Sequence, residues 1–320
     1  MVESFYILNF ILALAISVFL GPFVIRELKN LKVKQSVLED GPKSHAHKSG
    51  TPTMGGIIFM ISSLITIIVL GNRDSETWFL IISMFAFGAI GFLDDYVKVS
   101  NGRNLGLTAK QKLACQIIIA FFLILYKYRV SNGDTTLYIP FTSMDKIDIG
   151  ILFFPFMMFV MVGTVNAVNL TDGLDGLASG VSTIVLFTFS AMAVGMENES
   201  VAKFSITLAG ALLGFLVHNK YPAKVFMGDA GSLALGGVVG AIVLDTNLTL
   251  FLPIIGGIFF IETLSVIIQV ASFKLTGKRV FLMAPLHHHF EEKGWKEVRV
   301  VWTFYAITVV LCLIGIYAIN

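Results

Sequence analysis

The stretch Ile149-Gly-Ile-Leu-Phe-Phe-Pro-Phe-Met-Met-Phe-Val-Met-Val-Gly-Thr-Val165 is followed by Asn166-Ala-Val-Asn-Leu-Thr-Asp-Gly-Leu-Asp-Gly176 and by a second apolar run, Leu177 to Val194. Each run is long enough to cross the roughly 30 Å hydrocarbon core of a bilayer as an α-helix. The polar residues between them therefore lie at the mouth of two membrane helices. Ionisable groups so close to bilayer depth are costly and indicate a functional site.

The composition of the whole chain agrees with a membrane protein. Of its 320 residues, 56% are hydrophobic and 14% are charged, and the mean hydropathy is +0.82. We expect an all-α polytopic membrane protein with about ten transmembrane helices in a single integral membrane domain, residues 1–320. The predicted spans are 5–25, 54–71, 77–95, 110–128, 149–169, 176–195, 201–218, 230–246, 250–272 and 299–319.

The distribution of Lys and Arg predicts the orientation, because these residues are enriched in cytoplasmic connections. Most of the 23 basic residues lie in or beside the connections after odd-numbered spans. Those on the other side are Arg73, Lys127, Arg129, Lys146 and Lys203. The odd connections are therefore predicted to be cytoplasmic, and both termini extracytoplasmic.

A small extracytoplasmic hairpin is predicted between helices four and five, within Ser131 to Asp148. Asn132-Gly-Asp134 would form its turn, between residues 128–130 and 135–139.

Cys115 and Cys312 lie inside apolar runs and are expected to be small core residues without a disulfide. The first apolar run has neither a basic segment before it nor a small-residue cleavage site after it, so we expect a retained helix.

Asp94 and Asp95 end the third span. Adjacent carboxylates on a helix point about 100° apart, so they can serve different partners. At a partly buried membrane edge they would repel unless a cation joins them or one keeps its proton. A metal ligand plus a general base is the functional interpretation. The alternative is a solvated helix end, although negative charge is unfavourable at a helix C-terminus.

Two further motifs indicate a site for an anionic ligand. The polar residues of Asn166–Gly176 exceed what a helix cap needs, and no Glu stands where an EF-hand requires one. Phe226-Met-Gly-Asp-Ala-Gly-Ser232 opens the eighth span and offers backbone amides to an anion. Asp229 suits a phosphate that is carried with Mg²⁺. Without a Gly-Lys-Ser/Thr sequence, the motif is not a P-loop.

The remaining polar motifs are Pro285-Leu-His-His-His-Phe290 and Lys48-Ser-Gly-Thr-Pro-Thr-Met-Gly-Gly56. Three adjacent histidines on a helix cannot all face one ion, so proton shuttling or phosphate contact is favoured over metal binding. An exposed polar loop is the alternative. The second motif, with His45 and His47 nearby, predicts a loop that faces an anion.

Five motifs, in this order, resemble those of the phospho-N-acetylmuramoyl-pentapeptide transferase family. They are Thr51-Pro-Thr-Met-Gly-Gly56, Asp94-Asp95, Asn166–Gly176, Met227-Gly-Asp-Ala-Gly-Ser232 and Ala284-Pro-Leu-His-His-His-Phe290. The resemblance implies a homodimer in the bacterial cytoplasmic (inner) membrane, with ten transmembrane helices and an active site that faces the cytoplasm.

The resemblance also implies an activity. This is Mg²⁺-dependent transfer of phospho-MurNAc-pentapeptide from UDP-MurNAc-pentapeptide to undecaprenyl phosphate, which yields UMP and lipid I for peptidoglycan synthesis. Nucleoside antibiotics would inhibit it, and no nucleic-acid partner is implied.

Catalytic roles carried over from the family fall on Asp94, Asp95, Asp229 and His288. Asp229 would hold Mg²⁺, and one of the Asp94–Asp95 pair would deprotonate or position the lipid phosphate. A covalent aspartyl-phosphate route is the alternative. His288 would contact phosphate, with His287 and His289 beside it.

The family pattern also implies substrate-binding residues. For the uridine they are Gly173, Leu174, Asp175, Asn219 and Phe226, with Lys48 nearby. For ribose, diphosphate and further contacts they are Thr53, Asn166, Asn169, Asp172 and Gln269. Lys98 and Lys110 would bind the lipid phosphate or diphosphate.

Two alternatives stay open at this point. A transferase that uses UDP-N-acetylglucosamine and a polyprenyl phosphate would share the aspartate pair and the Asn/Asp loop, but the Thr51–Gly56 and triple-histidine motifs favour the muramoyl enzyme. A secondary transporter would also carry intramembrane acids. Transporters tend to show internal repeats and midplane polar groups, whereas the polar motifs here gather at one predicted face.

Overall fold

The computed structural model of the protein describes residues 2–31, 50–101 and 106–319. These residues form twelve α-helices. Their bounds are α1 Val2–Asn30, α2 Ile57–Leu70, α3 Ser75–Asn101, α4 Ala109–Val130, α5 Phe153–Thr171, α6 Leu177–Gly195, α7 Glu199–Asn219, α8 Gly228–Thr246, α9 Leu252–Ile255, α10 Gly257–Thr276, α11 Leu286–Glu292 and α12 Glu297–Ile319.

Nine helices of the described chain are long and apolar enough to cross a membrane: α1, α3 to α8, α10 and α12. These findings confirm a polytopic helical membrane protein. The helix predicted as the second span, α2, has only 14 residues. At about 1.5 Å per residue it is shorter than the hydrocarbon core.

Backbone bonding explains why α2 begins later than predicted. Met54 has a φ of +69°, which takes it out of the helical conformation. The amides of Gly55 and Gly56 donate to the carbonyls of residues 226 and 227. Residues 55 and 56 are therefore bonded to the segment before α8 instead of extending α2.

Helix α8 forms the centre of the bundle. Every residue from Ala230 to Thr246 is buried, and α3 and α5 pack against it. A β-carbon on Gly236 would overlap the backbone of Val165 in α5, so small residues allow this close approach. The seventh and eighth predicted spans, the richest in small residues, are confirmed as helices α7 and α8.

The ninth predicted span is interrupted. A 3-10 turn, Gly256 and the short α9 precede α10, because the chain breaks its helix at Gly256.

The expectation that both cysteines are core residues holds for Cys312, which is buried. It is wrong for Cys115, which is exposed on α4.

A hairpin lies between α4 and α5, and one of its two strands lies within the predicted residues 135–139, whereas the other strand is not the predicted one. Strand β1 (Thr136–Tyr138) pairs antiparallel with β2 (Lys146–Asp148). Residues 128–130 belong to α4 instead. Asn132 and Gly133 have positive φ and turn the chain as it leaves this helix, so they are not the hairpin turn.

Candidate active site

Three carboxylates meet where α3 approaches the start of α8. Asp94 and Asp95 lie about two turns before the end of α3, and Asp229 is the second residue of α8. One oxygen from each carboxylate lies within 4.8 Å of the others. Asp94 and Asp95 are buried, and Asp229 is partly exposed. Carboxylates so close repel one another, so the site needs compensating cations.

Backbone contacts give the two adjacent aspartates different partners. The Ala230 amide donates to Asp95 Oδ2 at 3.1 Å, and the Leu107 amide donates to Asp94 Oδ1 at 2.8 Å. A β-carbon on Gly91 would overlap the backbone of α8, so this glycine allows the two helices to meet. The Ala230 amide belongs to the first turn of α8, where negative charge is favoured.

Two lysines compensate the carboxylates. Lys98 Nζ lies 2.6 Å from Asp94 Oδ2 and 3.0 Å from Asp229 Oδ2. Lys112 Nζ lies 2.7 Å from Asp229 Oδ2 and 3.3 Å from Asp94 Oδ2. Two ammonium groups against three carboxylates leave the cluster formally anionic. The cluster is therefore suited to a further cation.

Lys112 is a site residue that the sequence reasoning missed. The predicted residue, Lys110, is exposed in the first turn of α4, whereas Lys112 reaches the carboxylates. Residues two apart on a helix point about 200° apart, so both cannot face the same cluster. Charge alone does not distinguish the two lysines, and their difference comes from the direction in which α4 presents them.

Polar residues from two other elements approach the cluster. Asn169 Nδ2 donates to Asp229 Oδ1 and to Ser232 Oγ, both at 2.8 Å. Thr53 is buried, and a β-carbon on Gly228 would contact its hydroxyl. Asp172, one turn after Asn169, is partly exposed. The structure thus brings Asn169 to the carboxylates and Thr53 beside the start of α8.

Two segments that contain predicted uridine-binding residues, residues 173–175 and the loop before α8, are adjacent. The Ala223 amide, from the loop before α8, donates to Asp175 Oδ2 at 2.9 Å. Leu174 and Asp175 are buried, whereas Gly173 and Phe226 are partly exposed. Asp175 therefore uses one carboxylate oxygen to join these two segments.

Asn219 is also bonded within the protein. Its Oδ1 accepts from Ser179 Oγ at 2.6 Å, and its Nδ2 donates to the Val225 carbonyl at 3.0 Å. The residue is buried. Asn219, predicted to belong to the uridine pocket, therefore supports the backbone next to Phe226.

Two other predicted contacts have protein partners. Asn166 Nδ2 donates to Gln116 Oε1 at 2.8 Å and so links α5 to α4. Gln269 Nε2 donates to the Phe281 carbonyl at 2.9 Å, and its Oε1 accepts from the Phe281 amide at 3.0 Å. Gln269 thus holds the segment between α10 and α11. Lys48, predicted near the nucleotide, lies outside the described residues.

His287 is fully buried, which disfavours the predicted contact with substrate. Its Nδ1 lies 3.1 Å from Glu262 Oε2, and its amide donates to Glu262 Oε1 at 3.2 Å. A β-carbon on Gly173 would overlap the His287 ring, so the histidine packs against the loop between α5 and α6. Sequence reasoning missed Glu262, although an acid within an apolar run is a recognisable signal.

The other two histidines have separate partners. His288 Nδ1 lies 2.8 Å from Glu291 Oε2. His289 Nδ1 accepts from the Leu282 amide at 3.1 Å. Burial and the nearby Lys293 ammonium lower the pKa of His289 below its ordinary value. Each histidine of the motif thus has a different partner.

Comparison with known proteins identifies the family. Residues 77–247 match the family model of glycosyl transferase family 4, and residues 48–60 match signature 1 of phospho-N-acetylmuramoyl-pentapeptide-transferase. The phospho-N-acetylmuramoyl-pentapeptide-transferase of Clostridium beijerinckii is 50% identical over 321 residues, which cover 100% of this chain and 98% of the relative. That of Bacillus subtilis is 51% identical over 322 residues, covering 99% and 98%. The chain belongs to the phospho-N-acetylmuramoyl-pentapeptide transferase family.

Membership of this transferase family confirms the family and the enzyme class predicted from the five motifs. It also favours an enzyme over the alternative of a secondary transporter.

Proposed function

We propose that this protein transfers phospho-MurNAc-pentapeptide from UDP-MurNAc-pentapeptide to undecaprenyl phosphate, with Mg²⁺, to give lipid I and UMP. The observation that supports this most is the convergence of three carboxylates and two lysines at the end of α3 and the start of α8. Transfer of a phosphoryl group requires reactants held in line and charge neutralised around them. The cluster offers groups for both tasks.

The donor set suits magnesium. Mg²⁺ prefers hard oxygen ligands and is commonly bound by one or two carboxylates together with substrate phosphates. Asp229 is the most exposed of the three carboxylates, so we assign it the metal, with Asp94 and Asp95 beside it. Bound Mg²⁺ would neutralise negative charge on the donor diphosphate.

The remaining groups act on the phosphates. One of Asp94 and Asp95 deprotonates or positions the acceptor phosphate, and the ammonium groups of Lys98 and Lys112 bind phosphate oxygens. An oxygen of the acceptor phosphate attacks the sugar-linked phosphorus, and the bond from that phosphorus to the bridging oxygen breaks. UMP leaves with this oxygen. His288, oriented by Glu291 at 2.8 Å, provides a further phosphate contact.

The location of the reaction follows from the distribution of basic residues. We place the carboxylate end of the bundle at the cytoplasmic face of a bacterial inner membrane, with both termini outside. The polyprenyl chain stays in the bilayer while its phosphate reaches the cluster. We further propose that the enzyme is a homodimer and that nucleoside antibiotics compete for the donor site.

A direct assay tests the proposal. Purified protein is incubated with Mg²⁺ and undecaprenyl phosphate, and with either UDP-MurNAc-pentapeptide or UDP-N-acetylglucosamine, while UMP release and the lipid product are followed. We expect turnover of the muramoyl donor that requires both Mg²⁺ and the lipid. Turnover of UDP-N-acetylglucosamine alone would favour the other sugar-phosphate transferase and contradict our choice of substrate.

A further inference from the structure

The final helix, α12, contacts the loop between α5 and α6 at two points. The Asp175 amide donates to Glu297 Oε1 at 2.6 Å, and Tyr305 Oη donates to the Gly176 carbonyl at 2.5 Å. Glu297 is the first residue of α12, and Tyr305 follows about two turns later, on the side that faces α6. Two successive residues of the loop are thus bonded to one helix.

Tyr305 packs against α6 at a position where the helix has no side chain. A β-carbon on Gly180 would overlap the Tyr305 ring, so the ring packs directly against the helix backbone. Gly176, whose carbonyl accepts the hydroxyl, has a φ of +80°, a conformation that favours glycine. The hydroxyl therefore holds the chain at the turn from which α6 begins.

The same loop is held on its other side. Asp175 Oδ2 accepts from the Ala223 amide at 2.9 Å, while its own amide bonds Glu297. The His287 ring packs against Gly173. The loop is thus fixed by α11, by α12 and by the loop before α8. Groups held in this way bind a ligand with a smaller loss of conformational entropy.

We propose that Glu297 and Tyr305 are positioning residues that hold residues 172–176 in the conformation that binds the uridine diphosphate portion of the donor. The proposal rests on the proposed function and on the family pattern, which implies that residues 173–175 bind the uridine. Both residues act through the loop backbone. Their loss therefore weakens binding of the donor and leaves the chemical step and the binding of the lipid phosphate largely unchanged.

Three variants separate positioning from general packing. Tyr305→Phe keeps the ring beside Gly180 and removes only the hydroxyl. Glu297→Ala removes the acceptor of the Asp175 amide, and Glu297→Gln retains an acceptor oxygen. Tyr317→Phe, on the same helix at a position that is 75% exposed, is the matched control.

Steady-state kinetics with both substrates varied give the first test. We expect Tyr305→Phe and Glu297→Ala to raise the KM for UDP-MurNAc-pentapeptide by roughly two- to tenfold, the change that corresponds to one hydrogen bond. The kcat and the KM for undecaprenyl phosphate should stay close to wild type, Glu297→Gln should restore the donor KM, and Tyr317→Phe should change none of these values. A wild-type donor KM in both variants, or a loss confined to kcat, would overturn the proposal.

Hydrogen–deuterium exchange of the same proteins gives a test that needs no activity. Peptides that contain residues 172–176 should exchange faster in Tyr305→Phe and Glu297→Ala than in wild type, whereas peptides from the centre of α8 should not. Unchanged exchange at the loop would overturn the positioning role. If wild-type protein releases no UMP from the muramoyl donor, the proposed function fails, and the exchange data alone then decide whether α12 holds the loop.

Discussion

Helices α4 and α8 carry a lysine–aspartate pair near each of their two ends. Lys112 Nζ lies 2.7 Å from Asp229 Oδ2, and Lys127 Nζ lies 2.7 Å from Asp245 Oδ1. The separations are equal, so distance alone does not distinguish the two pairs. They differ in their surroundings, because Asp229 shares its lysine with another carboxylate and lies within 4.8 Å of two. Over the described ranges, no second group of three such ligands converges in this way.

Access also separates the two pairs. The Asp229 side chain is 17% exposed, and that of Asp245 is 1% exposed. An ion pair that is largely closed to solvent and belongs to no converging group of three possible metal ligands serves packing. A partly open cluster with excess negative charge can receive a metal ion and phosphates. The number of neighbouring carboxylates and their exposure to solvent therefore indicate which end of the bundle carries the candidate active site. The presence of a lysine–aspartate pair alone does not.

The largest expected effect comes from matched substitutions of the two aspartates. Asp229→Asn should lower transfer by about 10²- to 10³-fold, because it removes the carboxylate that we assign to the Mg²⁺ that would neutralise the reacting phosphates. Asp245→Asn should leave the kcat of the folded enzyme near wild type. UMP release at saturating substrates measures both, and near-normal activity of Asp229→Asn at saturating Mg²⁺ would contradict the metal role.

The same two variants should show the opposite order in stability. Asp245→Asn removes the carboxylate that lies 2.7 Å from the largely buried Lys127, although Glu76 also lies near this lysine, and the change costs up to about 3–5 kcal/mol of unfolding free energy. Asp229→Asn relieves repulsion among three carboxylates and should unfold at or above the wild-type Tm. Thermal unfolding in one detergent provides the comparison, and equal Tm values for both variants would contradict it.

A smaller effect distinguishes the two lysines at the start of α4. Lys112→Ala should lower kcat/KM by about 10- to 100-fold, the equivalent of one hydrogen bond to a charged group. Lys110→Ala, two residues earlier on an exposed face, should remain within about twofold of wild type. If Lys110→Ala has the larger effect, the position that the structure gives Lys112 does not explain phosphate binding.

The smallest effect concerns Asp74, at the same end as Asp245. Its carboxylate accepts from the Thr77 amide and from Ser200 Oγ, both at 2.7 Å. Burial raises the pKa of Asp74, but these hydrogen bonds outweigh it and hold the pKa below its ordinary value. Stability from this group is therefore fully present above the unfolded pKa of about 3.9 and is lost as pH falls through the folded pKa.

We expect Asp74→Asn to lower the Tm by about 2 °C at neutral pH, a modest effect because the carboxylate is partly exposed. The difference from wild type should shrink as the pH is lowered toward the folded pKa of Asp74. A difference that stays constant over this range would show that the carboxylate charge contributes nothing to stability.

The helices and the acidic residues of the site could be predicted because both signals are local. Long apolar runs identify the spans, and Asp94, Asp95 and Asp229 are conspicuous as acids at their edges. The sequence did not show that Asn219 would be bonded within the protein. It also did not distinguish Lys110 from Lys112, since both carry the same charge near the same helix start. Those distinctions depend on how helices far apart in the chain are packed.

The hairpin and the start of α2 show a second limit. Asn132-Gly-Asp134 has the composition of a hairpin turn, yet α4 continues to Val130 and β1 pairs with β2. The apolar pattern predicts that α2 begins at Met54. Bonds from Gly55 and Gly56 to the loop before α8 delay the start of the helix. In both cases a long-range backbone partner overrides a local preference.

Metal binding by matched variants tests the central claim most directly. Mn²⁺, a substitute for Mg²⁺, is titrated into wild type, Asp229→Asn and Asp245→Asn, and the bound ion is followed by electron paramagnetic resonance. We expect binding in wild type and Asp245→Asn, with a large loss of affinity in Asp229→Asn. Equal affinity in all three proteins, or loss only in Asp245→Asn, would contradict the assignment of the metal to the carboxylate cluster.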